Sequence, residues 1–374
     1  MAKKKYATHV TLPTGRRMYV SAKTKADLET KVSQIRMESG AGVDVGNDVR
    51  FRDYTMAWLK AYKEPKLRPN SYATLLANVD NHILPFFGDM LLREIKPMHI
   101  QLFLGSLSEK SKSVQAKCIQ ILNGIFRTAT DNGVILKSPV TQEAKPKGEA
   151  PKTVEPLTRE QSKALLDAVR GCKVYGFCLI ALTTGLRRGE ILGLMWEDID
   201  LVAGTLTVRH NKTFPADAND APVTTLLKTE AARRTIALPW VLRAWLEQER
   251  HRSSSPYVLS MENGKSLTKS AFRRMWSAID ARSVQEGRPL GSTVGGSKNG
   301  SIKVTLDFKC HPHQLRHTCI TQWVESGMKV KQVQYLAGHK TLDMTLRVYT
   351  HYRRKSQEDE VAQAVNDAAS YLAG

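Results

Sequence analysis

From Phe51 to about Gly133, apolar residues recur at three- and four-residue steps, the spacing of one face of a helix. Phe51, Tyr54, Trp58 and Tyr62 set the first such stripe. Ser71 to Ile83 predicts a second helix and Pro97 to Leu107 a third, with Pro97 suited to a first helical position. Ser113 to Asp131 predicts a fourth, with Val114, Ile121, Ile125 and Ala129 on its apolar side. Residues 48–136 therefore read as a small helical domain. The pattern ahead of it is different. Tyr6 to Val20 carries short runs of β type around a Pro13-Thr14-Gly15 turn. Thr24 to Met37 then predicts a helix with a partial stripe of Ala26, Leu28, Val32 and Ile35. Gly40 to Asn47 is a Gly-rich hinge, so residues 1–45 are expected to be a separate sheet-and-helix module.

Lys137 to Pro156 holds four prolines and four lysines with few large apolar residues, as an extended linker does (residues 137–156). The largest domain follows, residues 157–355. Thr158 caps its first helix, with Gln161 three residues on as in a capping box. Val174 to Thr184 is a nearly continuous apolar helix, and a new helix is predicted from Arg187 to Trp196. Thr205 to His210 alternates like a strand, and Leu226 to Leu238 reads as two short strands around Thr229-Glu230-Ala231-Ala232. Phe214 to Val223 is an irregular insertion. Pro239 to Glu249, Thr268 to Arg282, Pro312 to Ser326 and Val330 to Leu336 predict further helices, and Gly287 to Lys303 a mobile Gly/Ser-rich stretch. The fold class is mainly α with small antiparallel β-sheets, one of them in this domain. Residues 356–374 carry four acidic residues and no lysine or arginine, and Val361, Ala364, Val365, Ala368, Tyr371 and Leu372 form a helical stripe.

Charge changes the picture. Lys and Arg number 56 against 36 Asp and Glu, a net charge of +20, which points to a polyanion and most simply to nucleic acid. The bland alternative is a basic soluble protein. Residues 1–45 hold nine Lys and Arg against four Asp and Glu, so a basic sheet could lie in a DNA groove. The helical domain adds Lys60, Lys63, Lys66, Arg68, Lys110, Lys112 and Lys117 as exposed cations, and a basic linker would let two DNA-binding halves close around a duplex. Five cysteines without a C-x-x-C pair read as reduced core thiols. No apolar run approaches the roughly 18 residues of a membrane span, and Met1-Ala2-Lys3-Lys4-Lys5 lacks the apolar region of a signal peptide.

Candidate chemistry gathers late in the chain. His313 and Arg316 lie three apart at a helix start opened by Pro312, where free N–H groups favour an anion. A zinc reading of His311, His313 and His317 fails for want of H-E-x-x-H or a nearby carboxylate ligand. Arg187 and Glu190 are also i,i+3, so Glu190 could hold Arg187 in place; an ordinary helix ion pair is the plainer reading. Lys228 stands beside a tight turn, where it could act as a general acid or be a surface lysine. Tyr349, ten residues after His339, shares a stripe with Leu342 and Leu346, as a core tyrosine would, and Tyr352 competes with it as a nucleophile.

Together these pieces resemble the tyrosine recombinase (phage integrase) family. Thr184-Gly185-Leu186-Arg187-Arg188-Gly189-Glu190 looks like its first-arginine box, and Lys228-Thr229-Glu230-Ala231-Ala232-Arg233-Arg234 like its hairpin lysine segment. His313-Gln314-Leu315-Arg316-His317-Thr318 is similar to its His-x-x-Arg box, and Leu336-Ala337-Gly338-His339 with Tyr349-Thr350-His351 to its closing box. Ala337 departs from the more common Leu. The resemblance implies a site-specific DNA recombinase working through a 3′-phosphotyrosine intermediate, without metal or other cofactor. By the same resemblance Arg187 and Arg316 clamp the scissile phosphate, Lys228 protonates the departing 5′ oxygen, His313 is an acid/base, His339 bonds a phosphate oxygen, and Tyr349 rather than Tyr352 attacks. It implies an arm-type DNA-binding domain at 1–45, a core-binding domain at 48–136, and a tail at 356–374 that docks on a neighbouring protomer. Its implied partners are duplex attachment sites, three further copies in a homo-tetramer on DNA, an excisionase and a DNA-bending protein, in a bacterial host cytoplasm near the nucleoid. A type IB topoisomerase or a DNA-binding regulator without catalysis are the alternatives.

Overall fold

A computed structural model describes residues 6–13, 15–40, 48–147, 154–215, 218–225, 233–277, 279–280, 293–294, 303–346, 348, 350 and 365. The chain divides into two compact units, Met1–Thr153 and Val154–Gly374. Among the described residues no helix is long and apolar enough to cross a membrane.

In the first unit, β1 (Tyr6–Thr11) and β2 (Arg17–Ala22) pair antiparallel, Tyr6 opposite Ala22. Val10, Leu12, Val20 and Ala22 are buried, so one face of this ribbon is covered. Helix α1 (Lys25–Gly40) half-buries Leu28, Val32 and Ile35, the last packed on Leu12. A second apolar cluster is built by α2 (Phe51–Trp58), α3 (Pro69–Asn78), α4 (Leu84–Phe87), α5 (Pro97–Ser106) and α6 (Lys112–Asp131). At its centre Phe51, Phe87, Phe103 and Phe126 are wholly buried, each burial contributing about 1.5–3 kcal/mol. Tyr62 does not extend the stripe as its spacing predicts. Residues Leu59–Lys63 form a π-helical turn, whose wider step turns Leu59 inward and leaves Tyr62 exposed. Lys63, expected to be exposed, is half-buried, its ammonium 4.7 Å from the Trp58 ring centre, whereas Lys60, Lys66, Arg68, Lys110, Lys112 and Lys117 are exposed.

The second unit opens on α7 (Arg159–Ala168), where Thr158 Oγ1 accepts from the Gln161 N–H and the Gln161 side chain accepts from the Thr158 N–H, both at 3.1 Å. Helix α8 (Tyr175–Thr184) is buried almost all round and packs along α12 (Pro312–Glu325). The next helix, α9 (Arg188–Gly193), is shorter than its pattern predicts. The backbone of 194–196 leaves the helix to bond the 256–258 segment: Trp196 N–H to Pro256 O, and Val258 N–H to Leu194 O. Gly193 lets the Asn211 backbone come close, since a Cβ there would lie 2.9 Å from it.

Strands β3 (Ile199–Asp200), β4 (Thr205–Val208) and β7 (Arg234–Ala237) form an antiparallel sheet with β4 central; β5 (Asn211–Lys212) pairs β6 (Val223–Thr224). The outgoing strand of the Leu226–Leu238 segment therefore pairs with β4; residues 226–232 lie outside the described residues. Helices α10 (Trp240–Arg252) and α11 (Lys269–Trp276) follow. The chain does not stay helical to Arg282: β8 (Ile279–Asp280) pairs in parallel with β10 (Lys303–Thr305), which pairs antiparallel with β9 (Thr293–Val294). So this unit has more than the one sheet expected, and one is mixed. Most of 287–303, expected to be mobile, lies outside the described residues. Helix α13 (Val330–Ala337) ends at Gly338, and residues 342–346 are helical again. Leu165, Phe177, Ile180, Leu206, Leu242, Leu246 and Leu315 fill the core beneath. The tail 356–374 lies outside the described residues except at Val365, which is exposed.

Candidate active site

The end of α13 is the organising element. The last carbonyls of a helix lack partners within it and carry the negative end of its dipole. Here three successive carbonyls accept from three different arginines. Leu336 O accepts from Arg234 Nε at 2.6 Å, Ala337 O from Arg316 Nη2 at 2.5 Å, and Gly338 O from Arg187 Nη2 at 2.6 Å. Gly338 has φ 61°, and a Cβ there would fall 3.0 Å from Arg234 Nη1 and 3.2 Å from Arg187 Nη1, so a side chain would be strained and crowded between two guanidinium groups.

Each arginine arrives by a different route. Arg187 is the extended N-cap residue of α9, set after the left-handed Gly185. Its N–H donates to Glu190 Oε2 and its Nη1 to Glu190 Oε1, both at 2.8 Å. Arg316 lies one turn into α12, is buried, and also donates Nη1 to Gly185 O at 2.5 Å. Arg234 begins β7 and grips the far side of Glu190 through Nη2–Oε2 at 2.9 Å and Nη1–Oε1 at 3.3 Å. One buried carboxylate thus stands between two arginines, with a third close by. The Arg187 side chain is 37% exposed whereas that of Arg234 is 0% exposed, so Arg187 can meet a ligand from solvent and Arg234 cannot.

The titrating groups respond to this. Burial pushes the Glu190 carboxyl up, but Arg234 and then Arg187 hold it below the usual carboxylate range. Burial and the Arg187 charge pull Arg316 down to about 9, which leaves it a cation at neutral pH. Desolvation, then Arg316 and Arg187, hold His313 below its ordinary value. His339, buried and bonded through Nδ1 to Thr345 Oγ1 at 2.8 Å, is lowered to about 4 by burial and by Arg316, Arg187 and Arg234. Its depressed value means the unfolded chain binds the proton better. The stability it contributes is complete above pH ~6.5 and is lost as pH falls toward about 4, up to about 3 kcal/mol. Denaturant unfolding at pH 7 and pH 4.5 checks this: wild type should lose more stability over that interval than His339→Asn.

Of the residues expected from sequence, Arg187, Glu190, Arg316 and His339 are gathered around the α13 end, and His313 sits one turn from Arg316 on the exposed side. Lys228 and Tyr349 lie outside the described residues. Arg188 is exposed, its guanidinium 5.8 Å from the Phe272 ring. Arg234 was not singled out, although a signal existed: strand alternation places it on the same face as buried Ile236. Lys212, also unremarked, is wholly buried and donates to Asp220 Oδ1 at 2.8 Å and Ser266 Oγ at 2.6 Å, so it is not available as a general acid. Glu197, Asp198 and His210 offer three potential metal-ligand atoms within 4.8 Å of one another, but His210 Nδ1 is already hydrogen-bonded to Asp198 Oδ2 at 2.7 Å. Arg187 and Arg316 thus bring two guanidinium groups to the helix end that carries His339, whose depressed value keeps its imidazole neutral at pH 7, and such a set could meet an anion such as a phosphate.

Residues 155–356 match the phage integrase family, and residues 50–108 match the phage integrase N-terminal SAM-like domain. A tyrosine recombinase XerC-like protein of Caldanaerobacter subterraneus subsp. tengcongensis is 27% identical, over 92% of this chain and 90% of its own. Among solved structures, the Tn1549 transposon integrase in complex with transposon right end DNA covers 84% of this chain and 100% of its own, with a TM-score of 0.65 and 20% identity. A lambda integrase tetramer bound to a Holliday junction covers 89% and 93%, with a TM-score of 0.55 and 19% identity. These likenesses establish the fold.

Proposed function

We propose that this chain, which belongs to the phage integrase family, is a site-specific recombinase that cuts and rejoins duplex DNA at attachment sites, integrating and excising a mobile element. The observation that carries the reading is the convergence of Arg187 and Arg316, from separate sequence boxes, on the helix end that also delivers His339. In this mechanism Tyr349 attacks the scissile phosphorus. The bond to the 5′ oxygen breaks, and a 3′-phosphotyrosine forms. Arg187 and Arg316 hold the non-bridging oxygens, whose charge grows in the pentavalent transition state. His313, held below its ordinary value by desolvation and then by Arg316 and Arg187, accepts the tyrosine proton. Lys228 gives one to the leaving 5′ oxygen. His339 Nδ1 shares a 2.8 Å hydrogen bond with the Thr345 hydroxyl; in the tautomer where Nδ1 accepts, Nε2 carries an N–H to offer a phosphate oxygen. The bond energy is kept in the phosphotyrosine, so the religating 5′ hydroxyl needs no other activation.

The same reading assigns 1–45 to arm-site DNA, 48–136 to the core site, 157–355 to catalysis and 356–374 to a neighbouring protomer. A homo-tetramer on DNA accords with the tetrameric lambda integrase. An excisionase and a DNA-bending protein would be its further partners, in the cytoplasm of a bacterial host. The test is strand exchange between two duplexes cut from the DNA flanking the gene. Recombinant product is expected; relaxation of supercoils without exchange would favour a topoisomerase, and binding without either would favour a silent regulator. Arg316→Lys should lower single-turnover cleavage about 10²–10³-fold with binding retained, since an ammonium cannot reproduce the fork that spans two carbonyls and the phosphate. Quench-flow cleavage at saturating protein measures it.

A further inference from the structure

Arg234 is a cation that the proposed chemistry does not use. Its side chain is fully buried, with Nε on Leu336 O and both Nη atoms on Glu190. Its contacts nevertheless join three parts of the site. The guanidinium holds both oxygens of Glu190, the carboxylate that also orients Arg187. Its Nε holds Leu336 O, next to the carbonyls that hold Arg316 and Arg187. One residue on, the Thr235 N–H donates to the Tyr335 hydroxyl of α13 at 3.1 Å, so the start of β7 is fastened to α13 twice. That start lies six residues after Lys228.

We infer that Arg234 is a positioning residue for strand cleavage, locking Glu190 and Arg187 in register with the α13 end. This rests on the reading of the site given above. Stability alone is a poor reason for the arrangement. A buried ion pair commonly gains nothing over packed apolar side chains, and here three guanidinium groups crowd one carboxylate. The excess positive charge is compensated when a phosphate enters, so the cluster is arranged for the loaded site rather than the empty one. Arg187 from its own box, Arg234 from β7 and Arg316 from α12 all face Glu190, while burial opposes its ionisation. Removing Arg234 takes away the largest charge holding that carboxyl down.

Single-turnover cleavage of a nicked suicide duplex at saturating protein, from pH 5 to 9, tests the inference. Arg234→Lys and Arg234→Met are compared with wild type, with Glu190→Gln/Arg234→Met and Tyr349→Phe alongside, and DNA affinity is measured for each. Expected are near-normal affinity, a fall of about 10–100-fold in cleavage per bound complex for both single variants, and an acid limb in Arg234→Met beyond the one that His313 gives wild type. Arg234→Lys, which keeps the charge but not the fork, should be slow without that limb, and the double variant should lose the limb. Wild-type rates and pH profile in both single variants, with Tyr349→Phe inactive, would overturn the inference. So would failure of Arg234→Lys to fold, which would make the residue scaffold only. An adduct formed by Tyr349→Phe is a different failure: it removes the reading of the site itself.

Discussion

Tyr349→Phe is expected to abolish covalent attachment to a nicked suicide duplex, while Tyr352→Phe keeps it. In the proposed mechanism the phenol oxygen is the atom that bonds phosphorus, and phenylalanine has none to offer. Nothing else changes: the arginines stay on the α13 carbonyls, so the variant should still bind the duplex. The nick matters because the short strand released by cleavage diffuses away, which traps the adduct and turns a reversible step into a countable one. Denaturing gels of protein and labelled DNA give the answer. A persistent adduct in Tyr349→Phe would move the nucleophile elsewhere, with Tyr352 the first residue to examine.

The second large effect concerns salt. With roughly six to ten phosphate contacts, affinity for duplex DNA should fall about 10³–10⁵-fold between 50 and 200 mM salt, because each contact releases condensed counterions. The surplus of +20 supplies the cations. In the first unit Lys60, Lys66, Arg68, Lys110, Lys112 and Lys117 stand exposed. Fluorescence anisotropy with a labelled duplex across a salt series measures the slope; a flat response would contradict the assignment of that charge to phosphates.

Contiguous signals were legible and distant ones were not. The Thr158–Gln161 capping box, the β1–β2 ribbon and the helices of the first unit are written in local spacing; α5 and α6 form within a residue of their expected bounds, whereas α1 runs three residues past Met37 and the Ser71–Ile83 segment leaves the α-helix after Asn78. The four chemical boxes could be read because each packs its residues within a few positions. What joins them could not. Leu336, Ala337 and Gly338 act through backbone carbonyls, which every residue has, so no side-chain pattern marks them. Strand alternation with Ile236 hints that Arg234 is buried, but only its partner, 44 residues away, distinguishes it from one more surface cation. The end of α9 and the π turn after Trp58 depend on what packs against them, which hydrophobic periodicity does not encode.

The three carbonyls at the end of α13 also fix when activity can begin. Arg187 leaves the ribosome 151 residues before Gly338, and Arg234 102 residues before Leu336. At roughly 5–20 residues per second that is a wait of about 5–30 s for cations with nothing to gather them. Because the gathering point comes late in the chain, a copy that ends before Leu336 has none of the three carbonyls on which the arginines meet.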